Sequence, residues 1–404
     1  MTHVPPEMRS GPVRPDFTGS GSPLRLGIVA DFPEERWESM DLVAEMVSAE
    51  FSGRPEAGIV PVPLTPPYRP IFGRYSGKRL AWNLDRLINR RWTLPRGIRQ
   101  AIRRELPDAV FVVDHSYAHV VPVIRSEGVP VVVMCHDLDA FRDLFDSAAH
   151  GWRAWPRRRF ARPILEGLLQ ADRVVTGSNV VRDEFLARYD GRFPADRVTT
   201  IPYGVAPEFL AESTGVAWPI QGLGDATGPL LLHVGSTIPR KRIDVLLEAF
   251  AGVIANCPGA TLIRVGGRLT DEQRAMAGRV GVEASIREMP RLKREEIAEL
   301  YRRADVVMVT SDAEGFGLPV AEALACGAEV VASDIPVLRE TGGKCVTYAT
   351  KGDPAAFARA VQDVLAGQGG ASRADSAERR AWVARYRWDA FARELAEVMR
   401  NAIP

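Results

Sequence analysis

Apolar residues along this chain fall into two alternating patterns. Short continuous runs, such as Leu24–Ala30, Ala109–Val113, Pro130–Cys135, Thr261–Val265 and Val306–Val309, read as strands buried on both faces. Between them lie segments in which apolar positions recur at helical spacing, such as Met40, Leu42, Val43, Met46 and Val47, or Ile243, Val245, Leu246, Leu247 and Phe250. Residues 78–105 also read as helical, with a strongly basic polar side. Strand then helix repeats through both halves, which predicts an α/β protein of two doubly wound, Rossmann-like domains. The first spans 23–205. A stretch at 206–228, with Pro, Gly and Ser but no periodicity, reads as a linker. The second covers 229–384, a closing helical segment covers 385–404, and residues 1–22, rich in Pro, Gly and Ser, are expected to be a disordered tail.

The most informative stretch is Ser311–Thr341, SDAEGFGLPVAEALACGAEVVASDIPVLRET. A buried strand ends at Ser311 and Asp312, and a loop Glu314-Gly315-Phe316-Gly317-Leu318 follows, its glycines permitting close approach of backbone to a ligand. Pro319 suits the first turn of a short helix and Gly327 its C-terminal cap. Free N–H groups at such a helix start attract anions, so the unit is built to hold a phosphate beyond the strand ends. Glu314 in the loop and Glu322 one turn into the helix can face one ligand from two sides. A carboxylate can accept hydrogen bonds from both hydroxyls of a ribose. Taken alone, Glu322 is equally well an acid favoured by the helix dipole.

A second loop follows the strand in Pro229–Ser236: Gly235, Ser236, then Arg240 and Lys241. A guanidinium fork and an ammonium at a strand's carboxyl end suit a diphosphate, although charged loops are common. In the first half, VVVMCHDLDAF brings a strand to His136. A histidine there is more often structural than catalytic.

Together these strings resemble the retaining GT-B glycosyltransferases of the family-four type, with their E-x7-E signature. The resemblance runs from about residue 24 to 400 and is densest over 229–341. It implies a GT-B fold and transfer from a nucleoside-diphosphate sugar with retention. It assigns Glu314 to the donor sugar, Glu322 to the ribose, Arg240 and Lys241 to the diphosphate, and His136 to the cleft beside the sugar. Gly235, Ser236, Gly315, Phe316, Gly317 and Leu318 would line the donor site, and Met289 lies in the segment that resembles the base-reading one. The last helix, after Arg385-Tyr386-Arg387-Trp388, would pack back on the first domain. Three departures stand out. Ser236 replaces a second arginine, Tyr203 replaces an asparagine, and the linker Asp31–Met40 has no glycine, so a phosphate contact there would need side chains such as Trp37 or Ser39. A binder without activity, an epimerase or a phosphorylase on the same fold stay open.

Composition narrows the picture further. The net charge of +1 over 404 residues gives no reason to expect nucleic acid. No G-x-G-x-x-G opens a βα unit, which counts against a dinucleotide enzyme. Four dispersed cysteines, Cys135, Cys257, Cys326 and Cys345, suit a reducing cytosol. The N-terminus lacks the apolar core of a signal peptide and no run is long enough to span a membrane. A cytoplasmic protein is therefore expected. Asp137-Leu138-Asp139 spells D-x-D, but H-D-L accounts for it, so neither a cofactor nor an essential metal is expected. Residues 152–162, WRAWPRRRFAR, read as a solvated basic helix face or as a patch resting on an anionic membrane. The acceptor is not specified.

Overall fold

The computed structural model describes residues 23–35, 37–73, 79–141, 144, 155–212, 228–289, 291–368 and 375–403. Two six-stranded sheets, parallel throughout, form the two halves. The first contains β1 (Leu24–Val29), β2 (Ile59–Pro63), β3 (Ala109–Val112), β4 (Val131–Cys135), β5 (Arg173–Thr176) and β6 (Val198–Thr200), in the order β2-β1-β3-β4-β5-β6. The second contains β7 (Leu230–Val234), β8 (Thr261–Val265), β9 (Ile286–Met289), β10 (Val306–Val309), β11 (Val330–Ser333) and β12 (Thr347–Ala349), in the order β12-β11-β10-β7-β8-β9. The valine-rich strands β3, β4, β10 and β11 are buried at every residue. That burial is what parallel sheets covered on both faces by helices require. This is the two-domain α/β architecture that the alternating pattern predicts.

Strand order reverses between β1 and β3 in the first sheet and between β7 and β10 in the second. Loops diverge at such switch points and leave a crevice at the strands' carboxyl ends.

The two halves touch closely. Trp388–Arg400 forms a helix against Glu38–Ser52 of the first half, and the Arg400 guanidinium donates to the Ala57 carbonyl at 2.8 Å. Residues 207–210, within the expected linker, form a helical turn whose Phe209 is buried edge-on against Tyr301 of the second half. Most of the rest of that stretch, 213–227, lies outside the described residues. The basic helical segment also differs from a single helix. Arg79–Ile88 and Leu94–Glu105 are joined by a π-helical turn, Asn89–Thr93. Pro95, which has no N–H to give to the preceding turn, accounts for the widened register.

Candidate active site

The carboxyl ends of β7 and β10 bring the two phosphate-loop candidates together. Pro239–Lys241 makes a 3-10 turn closed by Arg242 at φ +50°, a left-handed conformation unusual outside glycine. Arg242 is held there by carboxylates on either side, Asp244 at 2.8 Å and Asp312 at 3.0 Å. The Asp312 N–H donates to the Arg240 carbonyl at 2.8 Å, and the Thr310 hydroxyl to that of Lys241 at 2.9 Å. The basic loop is thus stitched to the Glu314 loop before any ligand is considered.

Glu314 is the centre of this arrangement. Its carboxylate takes the Lys241 ammonium at 2.6 Å, the Arg240 guanidinium at 2.9 Å and the Ser311 hydroxyl at 2.6 Å, with its side chain only 6% exposed. Burial alone would raise its pKa. Lys241 and Arg240 overcome that and hold it down at about 2. The residue expected on the sugar therefore sits on the two cations expected on the diphosphate.

Behind the loop, Gly317 at φ +94° caps the helix Leu318–Ala325, with Pro319 in its first turn. Phe316 is buried, with Tyr203 and Tyr386 edge-on to it. Glu322 accepts from the Tyr301 hydroxyl at 3.2 Å. Burial pushes Glu322 up to about 7, against the opposing pull of that hydroxyl and of Arg294. Gly235 packs against Gly266, whose N–H points to the Met289 carbonyl, so Gly235 and Met289 border one end of the crevice. Ser236 is exposed beside it. Sequence reasoning missed Arg264. It is fully buried in β8, and its guanidinium donates to the carbonyls of Gly235, at 3.0 Å, and Gly267. An arginine inside a strand's apolar run was the available signal.

His136, at the end of β4, meets this site from the other half. A Cβ on Gly315 would strike the His136 carbonyl at 1.9 Å, so only glycine permits the approach. The ring itself is committed elsewhere. Nε2 donates to the Val113 carbonyl at 2.7 Å, which leaves Nδ1 to accept from the Tyr203 hydroxyl. Burial lowers its pKa, so the ring is neutral. Tyr203, the departure from the family's asparagine, is thus the side chain that anchors His136. Asp137 turns back to accept from the Asp139 N–H at 3.0 Å and lies 3.9 Å from Arg240. Among the described residues no group of three His, Cys, Asp or Glu side chains is placed to hold a metal.

The first sheet's switch point carries a second polar cluster. Asp31 follows β1 and Asp114 follows β3, and the two buried carboxyls face each other. Burial and the Asp114 charge raise the pKa of Asp31. In Asp114, burial is outweighed by its histidine neighbour His115 and by two hydrogen bonds from Ser116, which hold it low. One proton thus stays on Asp31. In place of a glycine loop, Pro33–Glu35 forms a 3-10 turn, and Glu35, its side chain fully buried, binds Arg86 and Arg90, each at 2.9 Å. The Trp37 indole N–H donates to Glu35 at 3.3 Å, so Trp37 supports that turn, and Ser39 is exposed.

Interdomain contacts close the crevice. The Ser178 hydroxyl donates to the Gly315 carbonyl at 2.8 Å. Glu340 accepts from the N–H of Asn179 at 2.8 Å and of Val180 at 3.2 Å, capping the helix Asn179–Arg188 from the opposite half. The cavity between Asp137, Asp139, Arg240 and Glu314 is about 100 Å³, well below the roughly 300–1,000 Å³ of ligand pockets.

Comparison with known proteins gives this geometry a context. Residues 219–381 match the family described as Glycosyl transferases group 1, and residues 52–209 match Glycosyltransferase Family 4. A D-inositol 3-phosphate glycosyltransferase of Frankia alni is 31% identical over 295 residues, 70% of each chain. The chain belongs to the GT-B glycosyltransferases of family four. A second such relative, from Segniliparus rotundus, is 33% identical over 216 residues, 52% of this chain and 46% of that one. The chain thus spans about half the length of several curated relatives it matches. Among solved structures, the sucrose-phosphate synthase of Thermosynechococcus elongatus superposes with a TM-score of 0.72 at 20% identity, over 94% of this chain and 98% of that one. HepE of Anabaena, solved with UDP and glucose, gives 0.64 at 18% identity, over 93% and 99%. At these identities the likeness is one of fold.

Proposed function

We propose that this glycosyltransferase moves a sugar from a nucleoside-diphosphate sugar to a hydroxyl acceptor with retention, without a metal ion or other cofactor. The observation that carries the reading is the meeting of Arg240, Lys241, Glu314 and the start of helix Leu318–Ala325 at the second sheet's switch point. Arg240, Lys241 and the helix start would neutralise a departing diphosphate, and Glu322 would take the ribose hydroxyls. The donor bond to the β-phosphate oxygen breaks as the acceptor oxygen bonds the anomeric carbon on the same face. The acceptor proton passes to the departing phosphate oxygen. His136, with both ring nitrogens engaged, shapes the sugar pocket through its carbonyl and its contact with Gly315 rather than as a base.

The acceptor belongs at the first switch point, beside Asp31 and Asp114. The two nearby guanidiniums, Arg86 and Arg90, are balanced by two carboxylates, Glu35 and Asp114, so that crevice favours an uncharged hydroxyl compound over a phosphorylated one. In this it would differ from the relatives, whose names specify inositol 3-phosphate. A catalyst working from the cytoplasmic side fits such a donor.

A thermal-shift panel of UDP, GDP, ADP and TDP sugars identifies the donor, since a ligand at a hundred-fold excess over Kd stabilises by about 2.7 kcal/mol. Arg240→Ala with Lys241→Ala should abolish the shift, and NMR of the product should show the donor's anomeric configuration. Binding with neither transfer nor donor hydrolysis would make the protein a binder. Inversion at the anomeric carbon, or loss of transfer in EDTA restored by Mn²⁺, would overturn the mechanism.

A further inference from the structure

Residues 79–105 carry eight arginines against two carboxylates in a chain whose net charge is +1. Charge this uneven marks a surface for an anionic partner. Several of these arginines are already matched. Arg86 and Arg90 hold Glu35, Arg99 and Arg103 hold Glu127, and Arg104 touches Glu105. Arg91, Arg96 and the nearby Arg69 meet no carboxylate among the described residues.

Arg69 and Arg96 line one groove of about 560 Å³ between the loop after β2 and the helix Leu94–Glu105, with Trp92 and Arg104 on its wall. Trp92 sits on the π-helical turn and is 49% exposed. Beyond Arg69 the loop turns outward and presents Ile71 and Phe72, each 43% exposed. That presentation is built from inside. The buried Asp85 carboxylate accepts from the backbone N–H of Ile71 at 3.1 Å, of Phe72 at 2.8 Å and of Gly73 at 2.7 Å. The buried Asn89 amide accepts from the Arg69 N–H at 2.9 Å and donates to its carbonyl at 2.8 Å. Burial opposes the Asp85 charge, but the three donors outweigh it and keep its pKa low.

Two buried polar side chains therefore fix a loop so that two large apolar residues face water beside unmatched guanidiniums. A soluble polyanion would use the arginines but leave Ile71, Phe72 and Trp92 without a partner. A bilayer uses both, with guanidiniums on lipid phosphates and apolar and indole groups at the acyl boundary. We infer that this face of the first domain docks on an anionic lipid bilayer, with the Arg69–Arg96 groove taking a phosphate headgroup. The patch lies apart from residues 152–162, of which Trp152, Arg153 and Ala154 lie outside the described residues and Arg162 is paired with Glu166. It does not depend on the glycosyltransferase reading.

The test is co-sedimentation of the full chain with vesicles of phosphatidylcholine alone and with 30% phosphatidylglycerol, at low and high salt. Binding should need the anionic lipid and be released by 0.5 M NaCl. Arg69→Gln and Arg96→Gln should each lower partition about five-fold, the equivalent of about 1 kcal/mol per surface arginine. Ile71→Ser with Phe72→Ser, which leaves the charge unchanged, should lower it at least tenfold. Thermal unfolding of each variant checks that it is folded, and an exposed arginine of the second half, Arg359→Gln, is the control. Equal behaviour with both vesicle types overturns the proposal. So does unchanged partition of the folded Ile71→Ser, Phe72→Ser variant, which would point to a soluble polyanion.

Discussion

The ion pairs of Glu314 lead to an experiment in which stability and affinity move in opposite directions. In the structure its carboxylate pairs with both Arg240 and Lys241, and its pKa falls to about 2 from the usual 4.5. A depressed carboxylate pKa contributes stability that is present above the unfolded value and lost as pH falls toward the folded one. At about 1.4 kcal/mol per pKa unit the contribution is at most about 3 kcal/mol at neutral pH. Glu314→Gln should lose most of it at pH 7 and little near pH 2. Urea unfolding of both proteins across that range measures the difference.

Affinity should respond the other way. A diphosphate reaching the same two cations would bring its oxygens to roughly 5 Å from the carboxylate. Two unit charges at that distance repel by about 3 kcal/mol at an effective dielectric constant near 20. Part of this is relieved as Glu314 shifts toward the sugar. Removing its charge should still tighten the free nucleoside diphosphate about tenfold or more, by calorimetric titration, while transfer from the intact donor falls. If Glu314→Gln binds the diphosphate no better than wild type, Glu314 does not compete for the cations. If its stability at pH 7 is unchanged, the ion pairs contribute nothing.

Two further predictions concern pH. Asp31 has its folded pKa raised by burial and by Asp114, so its native state retains a proton that the unfolded chain releases above about pH 4. Stability therefore falls as pH rises beyond that point, and Asp31→Asn should gain on wild type steadily from pH 4 to 9 in urea unfolding; parallel curves would show that Asp31 holds no proton in the native state. Glu322, pushed up to about 7 by burial, should accept the ribose hydroxyls more strongly when ionised. Nucleotide affinity should rise between pH 6 and 8 in wild type and stay flatter in Glu322→Gln, and identical slopes would remove Glu322 from the nucleoside site.

The fold was legible because its signal is repetitive. Each apolar run of β3, β4, β10 and β11 is buried as a whole, and parallel pairing follows from strand–helix alternation without knowledge of any contact. The candidate site was legible as strings rather than as partners. GFGLPVAEALACG and PRKR identify the loops, but nothing local says that Arg240 and Lys241 will close on Glu314, more than seventy residues away in sequence. Nor does a single strand reveal that Tyr203, at the end of the first domain, will reach the ring of His136. The glycine-free loop shows what local reading leaves out. The sequence says only that a phosphate contact there would need side chains such as Trp37 or Ser39; it does not say that Glu35 is buried in that turn against arginines fifty residues on. Such pairings are settled by tertiary approach, so charges that look solvent-facing in sequence end up buried and matched.

The contacts across the crevice bear on how the two switch points work together. Three of them converge on one loop and the helix end facing it: Gly315 against the His136 carbonyl, Ser178 on the Gly315 carbonyl, and Glu340 on the start of helix Asn179–Arg188. These three are hydrogen bonds or steric fits, and apolar contact beside them joins Phe316 to Tyr203 and Phe209 to Tyr301. Each net hydrogen bond is worth about 1 kcal/mol, so the three polar contacts add a few kcal/mol to that apolar contact. On the proposed reading a donor sugar would be larger than the 100 Å³ space between Asp137 and Glu314, so these contacts would have to loosen as the donor binds and as the diphosphate leaves. The loop that carries Glu314 is the same one that Ser178 and His136 grip. Separation of the halves would free the Glu314 loop to move, and on the proposed reading its cations would become available in the form that admits the donor. Closure would then return Gly315 to His136 and shut the site to water during transfer.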